Sequence, residues 1–407
     1  MVRRLFVNGA GGLFVVQGMV AMELRRIFLI AGWAVVAVGL VGCDKLPWGG
    51  GAQSNFDEEF ADFADLDAPK DDAAIGAEPA TTNTGVEFGT EAPITLPSAS
   101  DLSLQLPVGA RFPLVKTIEQ RLTQQLKTGP VVGHSKLELQ LSLLVEEQQD
   151  ARRRIGVRYH RVRYWQDLGG EIVSYDSAAP PVITPPAALS FAGLKDNTFS
   201  FWLGPDNRVQ ELVGFNEFLR RCVAGVSLDQ RQNVLNQLAS LGSEDGLANF
   251  VDDSIGLLPN PADPQLAGQP LQVGSRWAVP SKSSSGTQCL LQELTPTTAQ
   301  IALVGQISPS SYVDDIRQLK LTVQGGQCSG LCIVDRQTGM PTQSRIDRRV
   351  DMVAQLADGT EIPQRKEIVT TVMAFLEQGS GQDISNAVYQ PAAMAPAGTV
   401  QPAGYRP

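Results

Sequence analysis

Two histidines, His134 and His160, are the only imidazoles in a chain of 407 residues. Proton transfer near neutral pH would therefore rest on one of these two positions. His134 falls in the turn-like run GPVVGHSK and His160 inside a strand-like run, which reads as surface placement for both. No G-x-S-x-G elbow, phosphate loop, dinucleotide glycine pattern or H-E-x-x-H motif occurs. Adjacent acids stand at Asp252-Asp253 and Asp314-Asp315. Sequence neighbours point apart on a helix or loop, so solvation is a simpler reading than a metal or glycosidase pair. The densest charge is ARRRIGVRYHRVRYW, residues 151–165. Arg152, Arg153 and Arg154 precede a strand on which Arg158 and His160 should face one side and Arg161 and Arg163 the other. These six arginines form a patch for an anionic partner such as lipid, a phosphorylated glycan or an acidic segment of the chain itself. The plainer reading is one wet strand face, with arginine stems covering the tyrosines. No catalytic residue, metal site or cofactor is expected.

What must hold these groups begins with an N-terminal address. Glu23, Leu24, Arg25 and Arg26 precede an apolar run from Ile27 to Val38, shorter than a membrane span, which ends on Leu40, Val41, Gly42 and Cys43. Residues 1–42 read as a signal peptide with its true start at Met22. Leu40, Val41, Gly42 and Cys43 resemble the lipobox of bacterial lipoproteins. That resemblance implies cleavage before Cys43 and acyl chains on its thiol, which hold the protein to a membrane. Asp44 leans toward inner-membrane retention, with the outer membrane as the alternative. In an exported, oxidising compartment the remaining Cys222, Cys289, Cys328 and Cys332 predict two disulfides. Cys328 and Cys332 are too far apart along one extended strand to bridge each other. A zinc site is disfavoured, because C-x3-C is not a usual ligand spacing and no histidine lies nearby.

The net charge of −10 has a definite location: residues 44–100 hold twelve acids against Lys45 and Lys70. This stretch, rich in Ala, Pro, Thr and Gly, reads as a flexible acidic spacer. Within it Phe56, Phe60, Phe63 and Leu66 have helical spacing but remain part of a solvated segment. The Ala/Pro/Gly-rich end, residues 379–407, is likewise expected to lack a fold. The apolar fraction of 43% suffices for a packed core between them.

That core reads as duplicated. LPVGARFPLV from Leu106 and LQVGSRWAVP from Leu271 share V-G-x-R followed by an aromatic residue. FSFWLGPDNRVQEL from Phe199 and LCIVDRQTGMPTQSRI from Leu331 each read as strand, turn, strand, with Asp206-Asn207 and Thr338-Gly339 in the turns. Between the units, Phe218, Leu219 and Cys222, then Val234, Leu235, Leu238 and Leu241, have helical spacing. Ser227 and Gln230 make a capping signature, and Pro259 stops the run. The predicted class is α+β: a duplicated antiparallel β-sheet module, half-barrel-like, with a helical insert between its halves. The boundaries are lipidated Cys43 and tether over 43–100, a first β unit over 101–215, the insert over 216–262 and a second β unit over 263–378.

The motifs VGARF, RVRYWQDLGGEIVSYDS, WLGPDNRVQEL, LLPNP followed by VGSRW, and VDRQTGMPTQSRI, in this order, resemble a family of exported bacterial lipoproteins whose domain has no assigned function. The resemblance covers about residues 102–376 and implies a fold and an address but no reaction. A weaker similarity links the architecture to acyl-binding envelope lipoprotein carriers. The sequence thus predicts a non-catalytic, membrane-anchored, periplasm-facing envelope protein of binding or scaffold type. Its expected partners are the membrane, through Cys43, and lipid or another envelope protein; nucleic acid is excluded by export. The alternatives are a carrier or sensor of amphiphiles in a sheet cleft and an envelope hydrolase, the latter needing His134 or His160 to meet a serine or carboxylate in a cleft.

Overall fold

The computed structural model describes residues 102–242, 251, 253–260, 263, 266, 270–279, 287–314 and 319–374. The signal peptide, lipobox, tether and tail, together with Asp252 and Asp315, lie outside the described residues. Period-2 alternation dominates from Arg111 onward and builds strands β1 (Arg111–Leu126), β2 (Gly129–Gln149), β3 (Arg152–Leu168), β4 (Glu171–Asp176), β5 (Thr198–Leu203) and β6 (Val209–Val213). After α1 (Leu189–Ala192), which lies between β4 and β5, the chain forms α2 (Phe215–Val223) and α3 (Leu228–Gly242). A second series of strands follows: β7 (Arg276–Ala278), β8 (Gln288–Leu294), β9 (Thr298–Ile307), β10 (Ser310–Asp314), β11 (Leu319–Asp335), β12 (Pro341–Gln355) and β13 (Glu361–Ala374). The expected turn around His134 is instead the body of β2, because alternation of Leu137, Leu139 and Leu141 with polar residues extends the strand back to Gly129.

All thirteen strands belong to one antiparallel, open sheet ordered β6-β5-β3-β2-β1-β13-β12-β11-β9-β8-β7, with β4 on β3 and β10 on β11. Its central seam is β1 against β13, where Leu114 through Gln124 pair with Ala374 through Gln364. Pro113 and Pro363 stand one residue beyond the two ends of that ladder. A proline has no N–H to give a ladder, and Pro363 sits where β13 has stopped pairing with β1.

The two halves repeat the same local devices. Gly109 (φ 87°) and Gly274 (φ 96°) each occupy the turn before the V-G-x-R arginine. The Gly109 N–H donates to Val145 O and the Gly274 N–H to Leu291 O, at 2.7 and 2.8 Å. Val145 and Leu291 both open a β-bulge, at Val145/Glu147 against β3 and Leu291/Glu293 against β9. Further along, the β5–β6 and β11–β12 hairpins are bulged at Trp202/Leu203 and Ile333/Val334. Their turns place Asn207 (φ 60°) and Gly339 (φ 67°) at the left-handed position. The bulges increase local twist, so both halves bend the same way.

Bending brings the sheet ends together. From β6 to β7 there are ten strand-to-strand steps, about 48 Å across a flat sheet at roughly 4.8 Å per step. Yet Arg208, at the foot of β6, reaches Gly256 O at 3.5 Å, and Trp277 of β7 donates from Nε1 to the adjacent Leu257 O at 3.0 Å. The sheet is therefore curled around residues 251–258. Val251, Ile255, Leu257 and Leu258 of this segment are buried in a core shared by both halves. A second, smaller cluster around Leu321, Val350, Met352 and Ile362 fills the other end of β11, β12 and β13. Ahead of β1, Leu102, Leu104 and Leu106 are buried as well, and Gln105 N–H donates to Thr338 O at 2.7 Å.

This docking makes Gly339 doubly constrained: its φ is positive, and an added Cβ would collide with the Ser103 carbonyl. Gly109→Ala meets open space and should cost only the left-handed penalty of about 1–2 kcal/mol. Gly339→Ala should lower the urea midpoint by clearly more, since the 102–106 segment must also shift. Equal midpoints for the two variants would contradict the docking.

Candidate functional site

On the inward face of the seam, alternation places polar groups where the flanking strands place leucines and valines. β1 contributes Lys116, Gln120 and Gln124; β13 contributes Gln364, Lys366 and Thr370; β12 contributes Ser344 and Arg348. Lys116, Lys366, Gln364, Gln124, Ser344 and Thr370 are all buried. Gln124 Nε2 has no hydrogen-bond partner among the described residues.

Asp253 enters this stripe from the 251–258 segment. Its Oδ2 accepts from Lys116 Nζ at 3.2 Å and its Oδ1 from Arg348 Nη2 at 2.6 Å. Its backbone carbonyl accepts from the Ser344 hydroxyl. Lys116 and Asp253 side chains are 6% and 4% exposed and that of Arg348 11%, so water contributes little. Burial pushes the Asp253 carboxyl up, but Arg348 and Lys116 outweigh it and hold the group below the usual carboxylate range. Two cations and one carboxylate thus share a site in which each carboxylate oxygen has its own donor. Sequence reasoning left Lys116 and Arg348 out, and read Asp253 as solvated beside Asp252. A usable signal existed in β1, where the inward series Phe112, Leu114, Ile118, Leu122 is broken by a lysine.

The arginine run is placed differently from the sequence expectation. A bulge at Gln140/Leu141 inserts His160 between Tyr159 and Arg161, which shifts the face of every later residue. Tyr159 and Val162 therefore point inward, while Arg158, Arg161 and Arg163 share the outer face rather than dividing between two. Each arginine has a partner. Arg161 binds both oxygens of Asp176 at 2.9 and 2.6 Å, and Arg163 reaches Glu138 at 3.1 Å and Asp176 at 3.4 Å. Arg154 pairs with Glu146 at 2.9 Å, and Arg158 lies 3.9 Å from Asp196. Arg153 donates to Leu104 O at 2.8 Å, while Arg152 meets Glu211 at 3.5 Å and lies over the Trp202 ring at 4.8 Å. An external anion would have to displace these acids. The hydrogen bond from Arg161 leads the causes that bring the Asp176 carboxyl down to about 2.

His134 is exposed on β2. His160 Nε2 lies 2.8 Å from Ser142 Oγ on the outer face of the sheet.

The expected disulfides are absent: Cys222, Cys289, Cys328 and Cys332 are buried and none is bridged. Cys289 lies opposite Leu303, which lies opposite Gly330, two residues from both Cys328 and Cys332 on β11. Two strand steps across and two residues along put its Cα about 12 Å from either, beyond the roughly 7 Å that a disulfide tolerates. Cys222 sits on α2 beside Asn197, with its sulfur 3.8 Å from Nδ2. Burial pushes the Cys222 and Cys289 thiols up to about 12, which suppresses thiolate chemistry. Among the described residues no group of three metal-ligating side chains assembles.

Two outcomes follow from these charges. Removing Arg348 as Met leaves a buried carboxylate with one partner, and unfolding titrations should show a loss of about 3–5 kcal/mol; Arg163→Gln at the exposed pair should cost under about 1 kcal/mol. Acid should destabilise the fold: the folded carboxyls of Asp176 and Asp253 are depressed, so their contribution is complete above the unfolded pKa and is lost as pH falls from about 5 toward 2. Arg161→Gln should return the Asp176 carboxyl titration, followed by NMR, toward its ordinary value of 3.8 and flatten that acid slope. A titration unmoved by the substitution would contradict the pair.

The model of a family of unknown function, DUF6263, matches residues 150–341, from the start of β3 to the start of β12. No curated protein matches the chain. Among solved structures it is similar to an outer membrane channel (COG4313) from Pseudomonas putida F1, at 9% identity and TM-score 0.18, over 70% of this chain and 100% of that one. It is also similar to a putative outer membrane lipoprotein-sorting protein domain from Vibrio parahaemolyticus, at 8% identity and TM-score 0.11, over 67% and 89%. A DUF1329 family protein from Desulfovibrio piger gives 9% and 0.12, over 65% and 87%. Superpositions at such scores do not carry a functional reading. The family match runs through β3 to β11 and leaves β1, β2, β13 and nearly all of β12 outside it.

Proposed function

We propose that the chain is a non-catalytic, cell-envelope lipoprotein of binding or scaffold type. Acyl chains on Cys43 anchor it to a membrane, the acidic spacer sets it off the surface, and the curled sheet is the working body. The observation that carries this reading is the seat inside the sheet: side chains from β1, β12, β7 and the foot of β6 converge on an apolar segment through its carboxylate and three of its carbonyls. That is the construction of a binding surface rather than of a reaction centre. The Ser142–His160 pair fits catalysis poorly, since it lies on an open outer face with Arg158 and Arg161 as sequence neighbours of a bulged histidine. The carrier or sensor alternative draws on the same seat, because apolar side chains flank its cations. The matched bulges, turns and strand order further support an origin of the two halves in one duplicated unit.

Expression of the full-length chain in a bacterium with two membranes tests the reading. The intact protein should begin at an acylated Cys43 and incorporate labelled palmitate, and Cys43→Ser should abolish the label and leave the precursor uncleaved. A Cys43→Ser chain that is still cleaved before residue 43, or a parent chain that takes up no label, would defeat the lipoprotein assignment. Ester or amide hydrolysis abolished by Ser142→Ala would defeat the non-catalytic one.

A further inference from the structure

Residues 251–258 are held as a ligand is held. Their described backbone hydrogen bonds are internal: Ser254 N–H to Val251 O, Leu257 N–H to Ser254 O and Leu258 N–H to Ile255 O. No ladder bond joins them to a strand among the described residues. Among the described residues the sheet grips them through side chains, with Lys116 and Arg348 on the carboxylate and Ser344, Arg208 and Trp277 on carbonyls. Behind the carboxylate the segment is apolar and fully enclosed, Val251 and Ile255 being 0% exposed and Leu257 and Leu258 3%.

We propose that this seat is a binding site for an anionic single-chain amphiphile and that residues 251–258 are its resident competitor. Asp253 stands where the ligand's anionic head binds, between Lys116 and Arg348, and Ile255, Leu257 and Leu258 occupy the space of its hydrocarbon chain. The proposal deepens the binding reading above and rests on it. Charge supports the head-group assignment: two buried cations require an anion, and exchanging one carboxylate for another keeps both paired. Apolar burial supports the tail, because an acyl chain regains the area that the leucines and isoleucine give up. The cost of exchange is the release of the segment, so apparent affinity is the intrinsic affinity reduced by the fraction of molecules with the seat vacant.

The test uses the mature chain from residue 43 onward, expressed without the signal segment and carrying Cys43→Ser, so that neither its own acyl groups nor detergent compete. Radiolabelled oleate and oleyl alcohol are compared, since they share a tail and differ in head charge. Oleate should bind with one site, and oleyl alcohol at least about tenfold more weakly. Saturating oleate should accelerate hydrogen exchange at the Ser254, Leu257 and Leu258 amides, because their turn bonds open when the segment leaves. Asp253→Asn, which weakens the competitor's hold on the cations, should tighten both probes by a similar factor, roughly tenfold, because both need the seat vacated. Should that variant fail to fold, the two probes and the exchange pattern of the parent chain decide. Equal affinities for the two probes, absence of oleate binding, or binding without faster exchange in the segment would each overturn the proposal. None of these outcomes bears on Cys43 anchoring or on catalysis, so the site can fail while the envelope reading stands, and the converse.

Discussion

The carboxylate of Asp253, shared between Lys116 and Arg348, fixes the inside of the sheet. Taking three charged groups out of water carries an effective penalty of several kcal/mol per ion, repaid only if every charge finds its counterpart at close range. Here each oxygen of the carboxylate has a separate donor, at 3.2 and 2.6 Å. The cations belong to β1 and β12, either side of β13, so the pair spans the seam where the two halves of the sheet meet. Removing the segment would leave buried cations on both sides of that seam. The segment and the seam thus stabilise each other through this carboxylate.

Curvature follows from the same contact. A sheet this wide has a large apolar face, which open and flat would remain wet. Bulges repeated in both halves bend it, and residues 251–258 receive the converging side chains of its two edges and its centre. Trp277 and Arg208, ten strand steps apart along the ladder, bind adjacent carbonyls. The closing contact is made by side chains rather than by a β6–β7 ladder, which leaves the sheet open in its hydrogen bonding while its apolar face is covered. A barrel closed by a ladder could not release its contents without breaking backbone pairs; this arrangement can.

Much of the scaffold was legible because it depends on local rules. Alternation marked the strands, and Asn207 and Gly339 marked hairpin turns through their tolerance of positive φ. The two V-G-x-R segments announced the matching turns at Gly109 and Gly274. What was illegible depends on partners distant in sequence. The arginines of β3 looked like a free basic patch because Glu138, Asp176, Asp196 and Glu211, which neutralise them, arrive from other elements. Their facing was misread because no composition rule announces the extra residue at His160. The even count of cysteines suggested bridges, but parity carries no register, and the ladder places Cys289 in a row between Cys328 and Cys332 rather than opposite either.

The functional weight therefore falls on residues that break a pattern rather than on residues that make a motif. A lysine at an inward position of a central strand is costly unless something anionic is brought to it. In β1 the inward series runs through leucine and isoleucine on both sides of Lys116, so hydrophobic burial alone would have favoured an aliphatic residue there. A well-packed aliphatic would serve stability as well as a buried ion pair does, or better. Arg348 repeats the argument on β12, where Ile346 and Val350 flank it. Two such exceptions converge on one carboxylate, and in the site proposed above the cations would set which head group is accepted, while the bent sheet would set how much hydrocarbon could follow it.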